Sequence, residues 1–135
     1  MTVQLSDAVR NAMLDQYETT IGVSAKLKIR TGAQPANCAA ADSGTVLATF
    51  DLPSDWMGAA SGGVKPKAGT WQESSADATG TAAHYRLYAT DGTTCHDQGT
   101  VTVTGGGGDM TLDSVSITAA QVVTITEFTK TALNP

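Results

Sequence analysis

The sequence predicts a mainly β fold: an antiparallel β-sandwich or jelly roll of six to eight strands, preceded by one N-terminal amphipathic helix. Three observations predict it. Short runs rich in Val, Ile and Thr alternate between apolar and polar residues, as strands with one buried face do. Glycine-rich segments separate these runs, and the first twenty or so residues follow a helical period instead.

The N-terminal segment predicts a helix from Leu5 to about Thr20. Ser6 is placed to cap its start and Gly22 to end it. Apolar residues recur at spacings of three and four, so we expect them to form the face that packs inward. These residues are Leu5, Val9, Ala12, Met13, Tyr17 and Ile21.

Three segments predict strands in the first two thirds of the chain: residues 25–30, 45–52 and 81–90. In the first, strict alternation directs Leu27 and Ile29 inward.

The strand at 81–90 carries two different faces. Tyr85 and Leu87 share one face, and His84, Arg86 and Tyr88 share the other. The dipeptide that follows this strand, Asp-Gly, predicts a hairpin leading to the Val101 and Val103 run.

Four consecutive glycines at 105–108 predict a flexible hinge or a wide turn. Two further β runs follow, at 110–118 and 121–131, and in each the apolar residues change parity part of the way along. A β-bulge in each run would restore the alternation.

Length and composition favour one domain. The chain has 135 residues, so we expect residues 1–135 to form a single domain, with 1–22 as a helix or arm and 23–135 as the β-sandwich. Charged residues make up only 16% of the chain. A surface so poor in charge suits a protein that is largely covered by partners.

Charge and hydropathy exclude two classes of partner. The net charge is -5 and the eight Lys and Arg are scattered, so we expect no nucleic-acid binding. No apolar run approaches the length of a membrane span, and the N-terminus lacks the pattern of a signal peptide, so we expect no membrane association.

Cys38 and Cys95 are the two cysteines of the chain, and both fall in segments that resemble loops. They are too few for a zinc site or a disulfide scaffold. They are therefore either free thiols or a disulfide, and such a bond would lie within one chain or between two chains.

The sequence contains no motif for catalysis. Its histidines are His84 and His96, and the Cys95-His96-Asp97 run is the single tempting arrangement. Adjacent residues on an extended chain point in opposite directions, so Cys95 and His96 do not easily meet. We therefore expect no enzymatic activity, no metal site and no cofactor.

Three aromatic residues are candidate interface residues. Trp56 and Trp71 bracket a glycine-rich segment, and Tyr88 lies on the strand at 81–90. Each is either a core anchor or an exposed residue of an interface. A sugar-binding module, the alternative from another functional class, requires at least one of them to be exposed.

Nearly the whole chain resembles a family of small virion structural proteins of tailed bacteriophages and prophages. The resemblance includes the opening helix with Leu27–Pro35, the middle segment Gly58–Gly63, and the C-terminal half. In that half it rests on Ser74–Ala83, Tyr85–Leu87, Asp91–Thr94, Gly99–Thr104, the glycine run with Asp109–Leu112, and Val123–Thr126.

The resemblance implies a capsid decoration or linking protein that stabilises the viral particle through oligomeric packing. The alternative is a neck, collar or tail-associated protein, or a host- or glycan-binding β-sandwich module. Its expected partners are itself, most simply as a trimer, and other virion proteins such as the major capsid protein. Its expected location is the virion, after synthesis in the bacterial cytoplasm. The resemblance carries over no catalytic residues, and the two cysteines are not part of it.

Overall fold

The computed structural model describes residues 3–132, and within that range the chain forms one helix and eleven strands. The helix, α1, spans Asp7–Ile21. The strands are β1 (Lys26–Arg30), β2 (Val46–Asp51), β3 (Val64–Pro66), β4 (Trp71–Glu73), β5 (Gly80–Thr81), β6 (His84–Tyr88), β7 (Cys95–Val103), β8 (Met110–Leu112), β9 (Ser116–Ile117), β10 (Val123–Ile125) and β11 (Thr129–Thr131). The prediction of a mainly β chain with an N-terminal helix is confirmed.

The largest sheet has five strands in the order β2-β1-β6-β7-β8. Its first three pairings are antiparallel, and the predicted hairpin joins β6 to β7. The β7–β8 pair is parallel, which the prediction of a wholly antiparallel fold missed. Gly105 and Gly107 have positive φ, so the chain curls back within residues 104–109 and β8 begins beside Val101.

Six short strands form three antiparallel pairs: β4 with β10, β3 with β11, and β5 with β9. β4 contacts β2, and β10 contacts β8, so this pair touches both edges of the five-stranded sheet. The sheet is curled like half of a barrel.

The two C-terminal runs do not contain the predicted bulges. Each run breaks into two strands where its apolar residues change parity, and the two strands pair with different partners. β8 pairs with β7, whereas β9 pairs with β5. β10 pairs with β4, whereas β11 pairs with β3. The change of parity therefore marks the end of one strand and the start of another.

The core lies between the sheet, the small strand pairs and α1. Leu27 and Ile29 are fully buried, as predicted. A connected row of aromatic rings crosses the core, with centroids 4.9 to 6.1 Å apart between successive rings. Its members in order are Tyr17, Trp56, Trp71, Phe128 and Tyr85. Burial of large apolar side chains of this kind contributes roughly 1.5–3 kcal/mol each to stability.

Helix α1 has the predicted ends but not the predicted inward face. The Ser6 hydroxyl accepts a hydrogen bond from the N–H of Val9, and Gly22 ends the helix with a φ of 91°. Leu14 and Ile21 are buried, whereas Val9 and Met13 are exposed. Ala12 is exposed as well, so the expectation that Val9, Ala12 and Met13 pack inward is wrong.

Polar contacts explain this orientation of the helix. The guanidinium of Arg10 donates to the carbonyl of Ala132, and the side chain of Asn11 accepts from the N–H of Gly63. The buried ammonium of Lys65 lies 2.9 Å from the carboxylate of Asp15. These bonds turn the polar side of α1 toward the β structure. The helix is docked on its own chain and is not a free arm.

Candidate functional site

Residues 31–45, which connect β1 to β2, lie over the outer face of β6; we call this segment the cover loop. The guanidinium of Arg86 donates to the carbonyls of Asn37 and Ala40 and to the carboxylate of Asp42. The hydroxyl of Tyr88 donates to the same carboxylate at 2.7 Å. The loop is therefore bound to β6 by hydrogen bonds and charge.

Two further side chains fasten the cover loop. Arg30 donates to Asp42 at 3.0 Å and to the Tyr88 hydroxyl at 3.3 Å. Nδ1 of His84 lies 2.8 Å from the carbonyl of Gly32, so Nδ1 carries the proton and donates. Arg30, His84 and Arg86 are all buried. The single carboxylate of Asp42 thus pairs with two buried guanidinium groups at once.

The environment of this network shifts several pKa values. Partial burial disfavours the charged form of Asp42, but hydrogen bonds from Tyr88 and Arg86 and the charge of Arg30 hold its pKa below the usual range. Burial, and then the hydrogen bond to Asp42, raise the pKa of Tyr88 to about 12. Burial also lowers the pKa of His84, and the charges of Arg30 and Arg86 lower it further against the opposing bond to Gly32. His84 is therefore neutral at pH 7.

The two cysteines meet at the edge of this network. The thiol of Cys95, at the start of β7, donates to the sulfur of Cys38 in the cover loop at 2.8 Å. Both residues are partly buried and both are free thiols in this structure. Burial, and then the neighbouring Cys38 thiol, raise the pKa of Cys95 to about 12. The structure thus brings together two candidates that lie 57 positions apart in the sequence.

The three aromatic candidates for an interface are all inside the protein. Trp56, Trp71 and Tyr88 are each 0% exposed. The indole N–H of Trp56 donates to the carbonyl of Gly22, and that of Trp71 to the carbonyl of Ala68. Of the two alternatives for these residues, the single chain shows burial: the core and the cover loop cover them.

A second polar cluster joins α1 to the sheet and to β11, and sequence reasoning missed it. The carboxylate of Asp97 accepts from the hydroxyls of Tyr17 and Tyr85 and forms an ion pair with Lys130. Burial, and then the charge of Asp97, raise the pKa of both tyrosines. No signal in the sequence connects these four residues, since they come from four separate segments.

The Cys95-His96-Asp97 run does not form a joint site. The thiol of Cys95 contacts Cys38, the carboxylate of Asp97 contacts the two tyrosines, and His96 is exposed. Within residues 3–132, no group of three or more His, Cys, Asp or Glu is placed to hold a metal ion. In the same range, no helix is both long and apolar enough to cross a membrane.

An exposed apolar strip runs along the outer side of α1. Val9 and Met13 are one helical turn apart and point away from the β structure. Beside Met13 lies a shallow open depression. Its lining residues are Met13, Gln16, Tyr17, Thr20, Ile21 and His96.

Comparisons with protein-family models, with curated proteins and with solved structures found none that matches this chain.

Proposed function

We propose that this chain is a non-enzymatic structural subunit that works by packing against copies of itself and against a larger particle. The family resemblance of its sequence suggests a bacteriophage virion as that particle. Decoration or linking of the capsid is the first candidate role, and a place at the neck or tail is the second. The finer fold assignment, a β-sandwich or jelly roll, belongs to the same proposal. It is supported by the β4–β10 pair, which contacts both β2 and β8.

The observation that carries the proposal is the apolar strip on α1. Val9 is 46% exposed and Met13 is 54% exposed. The opposite side of the same helix is polar and forms hydrogen bonds with the β structure. A helix usually turns its apolar side inward, and an exposed apolar strip rimmed by polar residues is typical of a protein–protein contact. Packing of a second subunit on this strip would bury both side chains.

The body of the subunit suits this role. Its core is crossed by linked aromatic rings, and α1 is fastened to it at both ends and in the middle. A helix fixed in this way presents Val9 and Met13 on a rigid surface. A rigid surface loses little conformational entropy when it binds.

The sugar-binding alternative has lost its main support. It required Trp56, Trp71 or Tyr88 to be exposed for stacking against a ligand, and all three are buried.

The test is the mass of the protein in solution across a range of concentrations, measured by light scattering after size-exclusion chromatography. We expect the wild type to form a closed homo-oligomer, most simply a trimer. We expect the V9S/M13S variant to associate more weakly, so that its oligomer dissociates at protein concentrations at least about tenfold higher than those at which the wild-type oligomer dissociates. Val122→Ser is the matched control, because Val122 is similarly exposed but lies beside residues of β8 and β10.

Two results would contradict the proposal. One is a wild-type protein that remains monomeric at every concentration and also fails to bind particles that lack it. The other is an oligomer whose mass is the same in V9S/M13S and in wild type.

A further inference from the structure

We propose that Cys38 and Cys95 are a site of oxidative modification at which a disulfide forms within one chain and fixes the cover loop to β7. This inference does not depend on the proposed function, because it concerns a bond inside the subunit. The sequence leaves open whether a disulfide would form within one chain or between two chains, and the inference chooses the bond within one chain.

The position of the cover loop favours the intrachain bond. The two sulfur atoms are already in contact at 2.8 Å, so bond formation requires only a small approach of the two side chains. The neighbours of Cys38 are held in place: the Asn37 carbonyl accepts from Arg86, and the Asn37 side chain accepts from the N–H groups of Ala39 and Ala40. The structure therefore presents Cys38 to Cys95 before any oxidant acts.

The other end of the contact is equally well fixed. Cys95 pairs with Tyr88 across the β6–β7 hairpin, next to the irregularity in the register between Leu87 and Tyr88. Further along β7, the side chain of Gln98 donates to the carbonyl of Pro35 in the cover loop at 2.7 Å. The loop thus meets β7 at two points, and the thiol pair is one of them.

The chemistry is a pair of thiol–disulfide exchanges with a small-molecule disulfide such as oxidised glutathione. One cysteine thiolate attacks the small disulfide and releases one thiol; the second cysteine thiolate then attacks the mixed disulfide and releases the other. The protein gives up two electrons and two protons, and the small disulfide becomes two reduced thiols. Because burial raises the pKa of Cys95, the reaction is slow at neutral pH and faster in mild alkali.

The bond would link the cover loop covalently to β7. The cover loop carries Asp42, whose carboxylate forms ion pairs with the buried Arg30 and Arg86. In a reducing compartment non-covalent contacts hold the loop, whereas in an oxidising one the covalent bond holds it as well. Oxidation would therefore stabilise the folded subunit in any oxidising environment.

The test uses the full-length wild type, incubated with reduced or oxidised glutathione and then denatured without reductant. We expect the oxidised sample to lose the mass of two hydrogen atoms, to resist alkylation by a maleimide, and to migrate as a monomer on a non-reducing gel. We expect its Tm to rise by about 10 °C above that of the reduced sample. The C38S/C95S variant is the control, and its Tm should not respond to the glutathione redox state.

Three outcomes would overturn the inference. They are a disulfide-linked dimer on the gel, two thiols that both remain open to alkylation at equilibrium, and wild-type protein that carries glutathione on either cysteine. In a Cys95→Ser variant, we expect Cys38 to keep one bound glutathione, whereas the wild type keeps none. This result would show that Cys95 attacks the mixed disulfide and forms the final bond.

Discussion

The two faces of β6 are both buried, yet different forces bury them. On the inner face, Tyr85 and Leu87 meet the hydrophobic core. On the outer face, His84, Arg86 and Tyr88 meet the cover loop through hydrogen bonds and ion pairs. All five residues of the strand are thereby buried.

One strand therefore supports two layers, the hydrophobic core on its inner face and the cover loop on its outer face, and different interactions stabilise each layer. The inner layer depends on burial of apolar area, which is non-directional and tolerates little loss of volume. The outer layer depends on one carboxylate, Asp42, that must stay in place to form ion pairs with Arg30 and Arg86. Substitutions on the two faces should therefore differ in size and in the part of the molecule that they loosen.

The largest effect is expected on the inner face. Leu87→Ala should lower the free energy of unfolding by about 2–5 kcal/mol, because it removes a fully buried side chain and leaves a cavity. Urea denaturation measures this loss. Val103→Ala on β7, where the side chain is 44% exposed, is the control and should change stability by no more than about 0.5 kcal/mol. Equal losses in the two variants would contradict the assignment of Leu87 to the core.

A smaller effect is expected when the charge of the outer layer is removed. Asp42→Asn should lower the free energy of unfolding by about 1–2 kcal/mol, since two buried guanidinium groups lose their counter-ion. The Asp42 side chain is 39% exposed, so water moderates the loss. Asp51→Asn, which breaks a surface pair with Lys26, should cost no more than about 0.5–1 kcal/mol in the same assay.

A matched pair of substitutions tests whether the two layers are independent. Tyr88→Phe removes one hydroxyl from the Asp42 network, and Tyr85→Phe removes one from the Asp97 cluster. Each should lower stability by about 1 kcal/mol. Among the described residues the two networks have no hydrogen-bond partner in common, so the double variant should equal the sum of the single variants within about 0.5 kcal/mol. A larger coupling energy would show that the layers act as one.

The smallest effect is expected from the titration of His84. Its pKa in the folded protein lies below the ordinary value of 6.5, so the unfolded chain binds the proton more tightly. The stability that His84 contributes is complete above pH 6.5 and is lost as the pH falls toward the lower, folded pKa. His84→Asn keeps a donor for the Gly32 carbonyl but does not titrate, and it should show a shallower loss of stability over this range. Identical pH profiles would refute the role of His84.

Much of the fold could be predicted because its signals are local. Ser6 and Gly22 mark the ends of α1, and the alternation around Leu27 and Ile29 marks β1. The inward face of α1 could not be predicted, because it is set by distant polar partners such as the Ala132 carbonyl and Lys65. An apolar periodicity identifies a helix but does not identify the surface that the helix meets.

The candidate site was predictable only in part. The cysteines were recognisable as a pair, but their contact depends on the path of the cover loop, which has no periodic pattern. Arg86 donates to two backbone carbonyls of that loop, and every residue has a backbone carbonyl, so the sequence does not identify these partners. The parallel β8 was hidden for a similar reason: a glycine run permits many paths.

The central claim is that the cover loop is held over β6 by its charge network and separately from the core. Hydrogen exchange of the reduced wild type and of Asp42→Asn, followed by mass spectrometry, tests it most directly. The account predicts faster exchange in Asp42→Asn at the cover-loop amides of Thr31, Ala40 and Thr45, with protection retained in β1 and at the β1–β6 pairing. Faster exchange of equal size in the loop and the sheet, or no change in the loop, would contradict it.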